Sequence, residues 1–225
     1  LKKIYPSGAL QLLPMGKSFV FVAAQSEKTD NGEKSFVVSY KIFNEQKKIS
    51  LASRHVYLLS KFGNNFEFYA EKLKDYVNCK TAFIGTNLII VYPTGESYIY
   101  DIEKNLKWQG SLLFGGVGPA DIAVCGEDLW CTFPEMNCIV KYNTFSMRPV
   151  LRIGNKENRT IQSPHGLFRD NDMLVVTQTK TNEIIKISLD TFTITEREKI
   201  EIPAKTYLKI GNEQYILTGN GIYQI

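Results

Sequence analysis

The 225-residue chain predicts an all-β fold, a β-propeller of about six blades, one of them degenerate, with the ring closed by the N-terminal strand. Three observations carry that expectation. A unit of two apolar strands around a tight turn recurs, as FIGTNLIIVYP, IAVCGEDLWCTFP, LFRDNDMLVVTQ and LKIGNEQYILTG. Its period is steady: Leu88, Leu129, Leu174 and Tyr215 hold matching places, 41, 45 and 41 residues apart. A repeat of this length, carrying four short strands each time, is the sequence signature of a propeller blade. Finally, the second strands LIIVY and MLVV are apolar without alternation, which requires cover on both faces of each sheet, as stacked blades provide.

The elements follow in order. LKKIY at the N-terminus is an orphan strand. SGALQLLPMGKSFVFVAAQ reads as an inner strand pair, and KSFVVSYKIFNE with KKISLAS supplies the outer strands after a turn at Asp30, Asn31 and Gly32. RHVYLLSKFGNNFEFYAEKL is expected to give only two strands, a shortened second blade. Full blades then span 80–114, 119–153 and 164–200, the third strands SYIYDIEKN, NCIVKYNTF and NEIIKISLDTF being copies of one another. KTYLKIG, QYILTG and GIYQI leave the last blade one strand short, and LKKIY is the strand that would complete it and remove two exposed edges. A chain of this length is expected to form one domain over 1–225.

Composition narrows the function classes. The 12 Tyr and 13 Phe favour strands over disorder. Lys and Arg exceed Asp and Glu by 27 to 23, an excess too small and too scattered to predict a nucleic-acid partner. KNLKW at 104–108 is a single aromatic beside lysines, weak support for base stacking. No apolar run reaches the roughly 18 residues of a membrane span. The chain begins with Leu rather than Met, which is compatible with an upstream leader or lipid anchor having been trimmed away; the compartment is left open, with a lean to a bacterial cell envelope or another extracytoplasmic place.

Cys79, Cys125, Cys131 and Cys138 match no zinc or redox spacing. With a hairpin turning at Gly126 to Asp128, Cys125 opposes Leu129 and Cys131 opposes Ala123, so the two thiols do not face each other, and all four cysteines read as small hydrophobes. Neither a metal nor a cofactor is expected.

Two stretches, residues 115–143 and 163–188, resemble NHL-type repeats: Gly116, Gly118 and Pro119, then Pro164 and Gly166, precede inner strands, while Asn137 with Ile139 and Asn182 with Ile184 open third strands. The same steps are similar to TolB-like six-bladed propellers. A narrower resemblance is to virginiamycin B lyase and its relatives, whose repeats read PxG, LWxT and NxI; Leu129, Trp130 and Thr132 echo the middle motif. These resemblances imply the fold; such propellers host binding proteins, sensors and enzymes alike.

Chemistry is sparse. His55 and His165 are the only histidines. His165 enters an inner strand in the SPHG step, where the channel mouth of a propeller binds ligands; a ring packed across a blade junction is the plainer alternative. Asp121, Lys80, Lys205 and Arg54 are expected to begin inner strands in other blades, where they would converge with His165 on the central channel and hold an anionic ligand through charge-assisted hydrogen bonds; solvated loop charges are the plainer alternative. GGVG at 115–118 precedes a strand and lacks a following GK with Ser or Thr, so it reads as an interblade crossing and not a phosphate loop. Asp170, Asn171 and Asp172 lack calcium-loop spacing and read as a hairpin turn. The function expected is a non-catalytic recognition scaffold for a protein or a small, anionic ligand. The alternatives are a lyase or hydrolase working at the channel around His165, and RNA binding on a basic face.

Overall fold

The computed structural model describes residues 1–6 and 8–225, the side chain of Phe66 excepted. The inner strand pair expected from Ser7 onward therefore has its first residue outside the described set. The chain divides into two compact units, one of Leu1–Asn78 with Leu208–Ile225 and one of Cys79–Tyr207.

The first unit opens with β1 (Lys2–Tyr5), followed by β2 (Ala9–Met15), β3 (Ser18–Lys28), β4 (Lys34–Phe43) and β5 (Ile49–Leu58), which form a four-stranded antiparallel sheet in chain order. This is blade 1. The β3–β4 turn falls where expected: the Gly32 N–H donates to the Thr29 carbonyl at 2.8 Å, and φ is +78° at Gly32. Helix α1 (Phe66–Asn78) comes next, after a 3-10 segment over Leu59–Asn65.

That helix overturns the expected two-strand blade. FEFYAE alternates like a strand, but FEFYAEKLKDYVN is rich in the helix formers Glu, Ala, Lys and Leu. Its Ala70, Leu73 and Val77 lie on one helical face and cover Val22, Phe36, Val38 and Leu59. RHVYL, the other supposed strand, is the end of β5.

The second unit carries three blades of four antiparallel strands in simple meander order. Blade 2 is β6 (Lys80–Ile84), β7 (Asn87–Val91), β8 (Glu96–Tyr100) and β9 (Leu106–Ser111); blade 3 is β10 (Asp121–Cys125), β11 (Asp128–Phe133), β12 (Cys138–Asn143) and β13 (Arg148–Ile153). Blade 4 is β14 (Pro164–Asp170), β15 (Met173–Gln178), β16 (Glu183–Ser188) and β17 (Ile194–Lys199). The last sheet, blade 5, has the order β1-β20-β19-β18, with β18 (Ala204–Ile210), β19 (Glu213–Thr218) and β20 (Gly221–Gln224). The expected pairing of LKKIY with the last strand is present, with Lys2 opposite Gln224 and Lys3 opposite Tyr223. The fold is a β-propeller of five blades, not six, because the degenerate blade is a helix.

The repeated motifs have physical causes. In β11, successive side chains point to opposite faces. Leu129, Cys131 and Phe133 join Ile89, Val91 and Leu112 of the blade 2 side, whereas Trp130 joins Leu174, Val176 and Ile185 of blade 4. β11 and β15 are buried on both faces over five consecutive residues, as the absence of alternation predicts; β7 instead alternates, with Ile89 and Val91 buried and Leu88 and Ile90 half-buried. The Asn of the NxI motif supplies a left-handed residue between second and third strands, with φ of +50° at Asn137 and +54° at Asn182, a conformation that Asn tolerates and branched residues do not. Gly95, with φ of +87°, takes that role in blade 2.

A further regularity is an outer-strand bulge in four blades: Ala52, Lys107, Val150 and Thr195 are each the extra residue between third and fourth strands. The Gly118 of GGVG is the tight crossing expected, since a Cβ there would overlap the Pro93 carbonyl and the Gly95 backbone nitrogen. Asn171, with φ of +56°, and Asp172 form the two-residue turn between Asp170 and Met173.

The cysteine register is corrected by one residue. The β10–β11 turn is the two-residue Gly126–Glu127, so Cys125 opposes Asp128 and Cys131 opposes Ile122. The two thiols still do not face each other. All four cysteines are free; Cys125, Cys131 and Cys138 are buried and Cys79 half-buried. Burial pushes the Cys125 and Cys138 thiols up to about 11. Among the described residues no helix is long and apolar enough to cross a membrane.

Candidate functional site

Lys80 and Asp121 hold the same place in consecutive blades: each is the first residue of a first strand, Lys80 opposite Val91 and Asp121 opposite Thr132. His165 and Lys205 are the second residues of β14 and β18. The structure thus brings four of the five expected residues to the same end of successive first strands. The fifth, Arg54, is elsewhere. It lies on the outer strand β5 opposite Ser39, exposed, with its guanidinium 2.6 Å from Glu27 Oε2. Its expected place belonged to the blade that the helix replaces. His55 is likewise exposed on β5, edge-on to the Tyr40 ring at 6.1 Å.

Asp121 is 7% exposed, and a buried carboxylate must be paired and hydrogen-bonded. Its Oδ1 accepts the Ile122 N–H at 3.0 Å, and its Oδ2 accepts the N–H of Leu167, on the next blade's first strand, at 2.9 Å. The Lys80 ammonium stands 3.9 Å from Oδ1. Both oxygens are thus engaged, and the carboxylate ties blade 3 to blade 4.

His165 is half-buried. Its Nδ1 lies 3.1 Å from the Lys205 carbonyl, so Nδ1–H donates and Nε2 carries the lone pair. Burial is the main cause holding the imidazole below its ordinary value; the charges of Lys80 and Lys205 act the same way, while Asp121 and the Lys205 carbonyl oppose them. The ring is therefore neutral at neutral pH.

The sequence reading takes Thr132 only as part of the LWxT echo and does not single out Thr177, yet the two organise this end. Thr132 Oγ1 accepts the Asp121 N–H at 3.0 Å and donates to the His165 carbonyl at 2.5 Å; Thr177 Oγ1 accepts the Gly166 N–H at 2.8 Å. The signal was available: a Thr stands three residues after Leu129, Leu174 and Tyr215, as Thr132, Thr177 and Thr218. Gly166 of the SPHG step is required by packing, because a Cβ would stand 2.6 Å from the Lys205 carbonyl and 3.0 Å from Thr177 Oγ1. Asn137 also bridges blades, its Oδ1 accepting the Ser163 N–H at 2.9 Å.

Trp108 of KNLKW is half-buried against the cluster between blades 2 and 3, and Lys107 is 3.0 Å from Asp101. Among the described residues no cluster of His, Cys, Asp and Glu has a geometry that holds a metal.

No family model matches the chain, and no curated protein matches it. Solved structures do. Virginiamycin B lyase from Staphylococcus aureus is similar with a TM-score of 0.52 and 14% identity, over 97% of this chain and 84% of that one. A streptogramin B lyase structure gives 0.51 at 14% identity, over 97% and 83%. The computationally designed Ika8 protein gives 0.52 at 7% identity, over 96% and 70%. At such identities the likeness shows the fold alone: an all-β propeller whose chemistry has to be argued from its own residues.

Proposed function

We propose that the chain is a non-catalytic propeller scaffold that binds a small anionic ligand where the first strands of blades 2 to 5 begin. The observation that carries this reading is the gathering of Lys80, His165 and Lys205 at that end, with the one carboxylate among them, Asp121, already committed to backbone N–H groups and Lys80. His165 donates to a carbonyl and, among the described residues, has no hydrogen bond to a carboxylate, so the orienting partner of an acid–base pair is missing from these contacts. Lys205 is exposed, and its ammonium and the amphoteric imidazole suit a carboxylate or phosphate.

A thermal-shift screen of phosphorylated and carboxylated metabolites at low ionic strength tests the site. Binding should raise stability by about 2.7 kcal/mol at a hundredfold excess over Kd, fade with salt, and weaken in Lys205→Ala and His165→Ala. No anion-dependent shift, or one that both substitutions leave untouched, overturns the reading.

One observation favours a second reading, a lyase at the same place: the neutral His165 leaves Nε2 as a base, and the similar solved structures include lyases. Cleavage of virginiamycin B by the intact chain, lost in His165→Ala, would establish it in place of the binding role.

A further inference from the structure

Trp130 is out of pattern with its repeat. The matching places on β7, β15 and β19 hold Ile89, Val175 and Ile216, aliphatic side chains that fill a blade without a polar atom. The indole brings an N–H donor to that position. Trp130 is 1% exposed, and among the described residues its Nε1 is the one buried side-chain nitrogen or oxygen without a hydrogen-bond partner. Buried donors are normally paired, and leaving one unpaired is costly. Packing alone is served by an aliphatic residue, so the donor asks for another reason.

A groove of about 460 Å³ lies beside it, between the β10–β11 turn and the β14–β15 turn, at the ends of these first strands away from Asp121 and His165. Trp130 and Phe192 line it with their ring centroids 5.9 Å apart, and Cys125 and Leu189 add apolar wall. The Lys141 ammonium stands 5.0 Å from the Phe192 centroid and 5.9 Å from the Trp130 centroid, anchored 3.1 Å from Asp128 Oδ2. Arg169 and Asp172, both exposed, stand at the rim. Lys141 and Arg169 are thus balanced by Asp128 and Asp172, and the groove has no net charge to reward an ion of either sign. Apolar walls, one oriented donor and a cation over the aromatic faces suit a neutral, flat ring system.

Phe192 is placed as the cover. It is half-buried on the turn between β16 and β17, and its N–H donates to the Ser188 carbonyl at 2.9 Å, which fixes the backbone and leaves side-chain rotation as the available movement. On its other side Phe192 lines a second groove of about 640 Å³, with Ile153, Thr160 and Ile194. That groove can receive the ring.

We propose that the groove beside Trp130 is a ligand site for a neutral aromatic or heteroaromatic molecule with a carbonyl oxygen. Phe192 turns into the adjoining groove, the incoming ring takes its place against Trp130 and the Lys141 ammonium, and the carbonyl accepts the Trp130 Nε1–H. The inference is independent of the anion site, which lies at the other end of the first strands and shares none of these residues.

The indole N–H resonances of the nitrogen-15-labelled full chain, one from Trp108 and one from Trp130, test it, with Trp108→Phe giving the assignment. Coumarin and 2-quinolone, neutral bicyclic rings bearing a carbonyl, serve as probes. Saturating titration should move the Trp130 resonance downfield and leave that of Trp108 in place, and added salt should not weaken it, in contrast to the anion site. By calorimetry, Phe192→Ala, which removes the cover, should lower the Kd for coumarin about threefold or more. Trp130→Phe, which keeps a ring and removes the donor, should raise it about fivefold or more. The amide spectrum of each variant shows whether the fold is kept, and Phe192→Ala, on a turn, carries the test if Trp130→Phe does not fold. A Trp130 resonance that neither probe moves up to its solubility limit, as when a buried water already accepts the proton, overturns the proposal; so does a Kd that Phe192→Ala does not lower.

Discussion

The carboxylate of Asp121 accepts the backbone N–H of Leu167 at 2.9 Å, and so a side chain on the first strand of blade 3 completes the hydrogen bonding of the first strand of blade 4. The β14–β15 ladder breaks between Pro164 and Leu167, where the chain bends into the SPHG step. A buried N–H without a partner costs free energy, and Asp121 supplies the partner from outside the sheet.

Removing that acceptor should therefore be costly. Asp121→Ala leaves the Leu167 and Ile122 N–H groups unpaired and Lys80 without its counter-ion, a loss of about 1–3 kcal/mol for the buried donors. Asp121→Asn keeps one acceptor oxygen and should lose less. Urea unfolding of the two variants checks the order; equal stability of wild type and Asp121→Ala would show that the interblade bond contributes nothing.

Trp130 and Phe133 lie on opposite faces of β11, 1% and 0% exposed, so each fills a different blade interface. Truncating either to Ala should cost about 3–5 kcal/mol, the range for large aromatic core residues. In a Trp108→Phe background the emission of Trp130 should be blue-shifted and resist acrylamide. Ready quenching in the native protein would place the indole at the surface.

Blades 3 and 4 were legible nearly strand for strand, because their repeats are almost copies and the second strands are buried on both faces. PADIAVC, DLWCTF and CIVKYN fall within a residue or two of β10, β11 and β12. The miss at α1 arose where two periods compete. Phe68 and Ala70 alternate as in a strand, and only the packing of Ala70, Leu73 and Val77 under β3 and β4 decides for the helix. Arg54 was misplaced as a consequence, since its role depended on a blade that does not form. Lys80, Asp121, His165 and Lys205 stand at the starts of first strands as the sequence reading has them, because strand starts recur with the period. The Asp121–Leu167 bond was not legible, because sequence repeats give register within a blade and not the side-chain reach between blades.

The N-terminal strand supplies a third expectation. β1 is the outer strand of blade 5, and Tyr5 packs tilted against Phe21, ring centroids 4.5 Å apart, and accepts a hydrogen bond from Lys41 Nζ at 2.8 Å. Deleting residues 1–5 strips β20 of one of its two strand partners and should cost about 1–3 kcal/mol, seen as a fall of several degrees in Tm. An unchanged Tm would mean that β1 adds no stability.

His165 ties the candidate site to pH. Its imidazole is held below its ordinary value of 6.5, mainly by burial. Between that lowered value and 6.5 the unfolded chain binds the proton that the folded chain refuses, so stability rises with pH across the window. The contribution of this residue is thus complete above pH 6.5, declines as the pH falls through the folded-state value, and levels off below it. His165→Gln removes the titrating group and should flatten the acid side of the stability profile near pH 6 while leaving the profile above neutrality parallel to wild type. An acid profile identical in the two proteins would show that the ring takes up its proton as readily folded as unfolded, and that His165 is better solvated than its burial implies. The same titration bears on ligand capture: an anion at this end should bind more tightly once His165 is protonated, so the anion-dependent rise in Tm should grow as the pH falls below 6.5 in wild type and stay flat in His165→Gln.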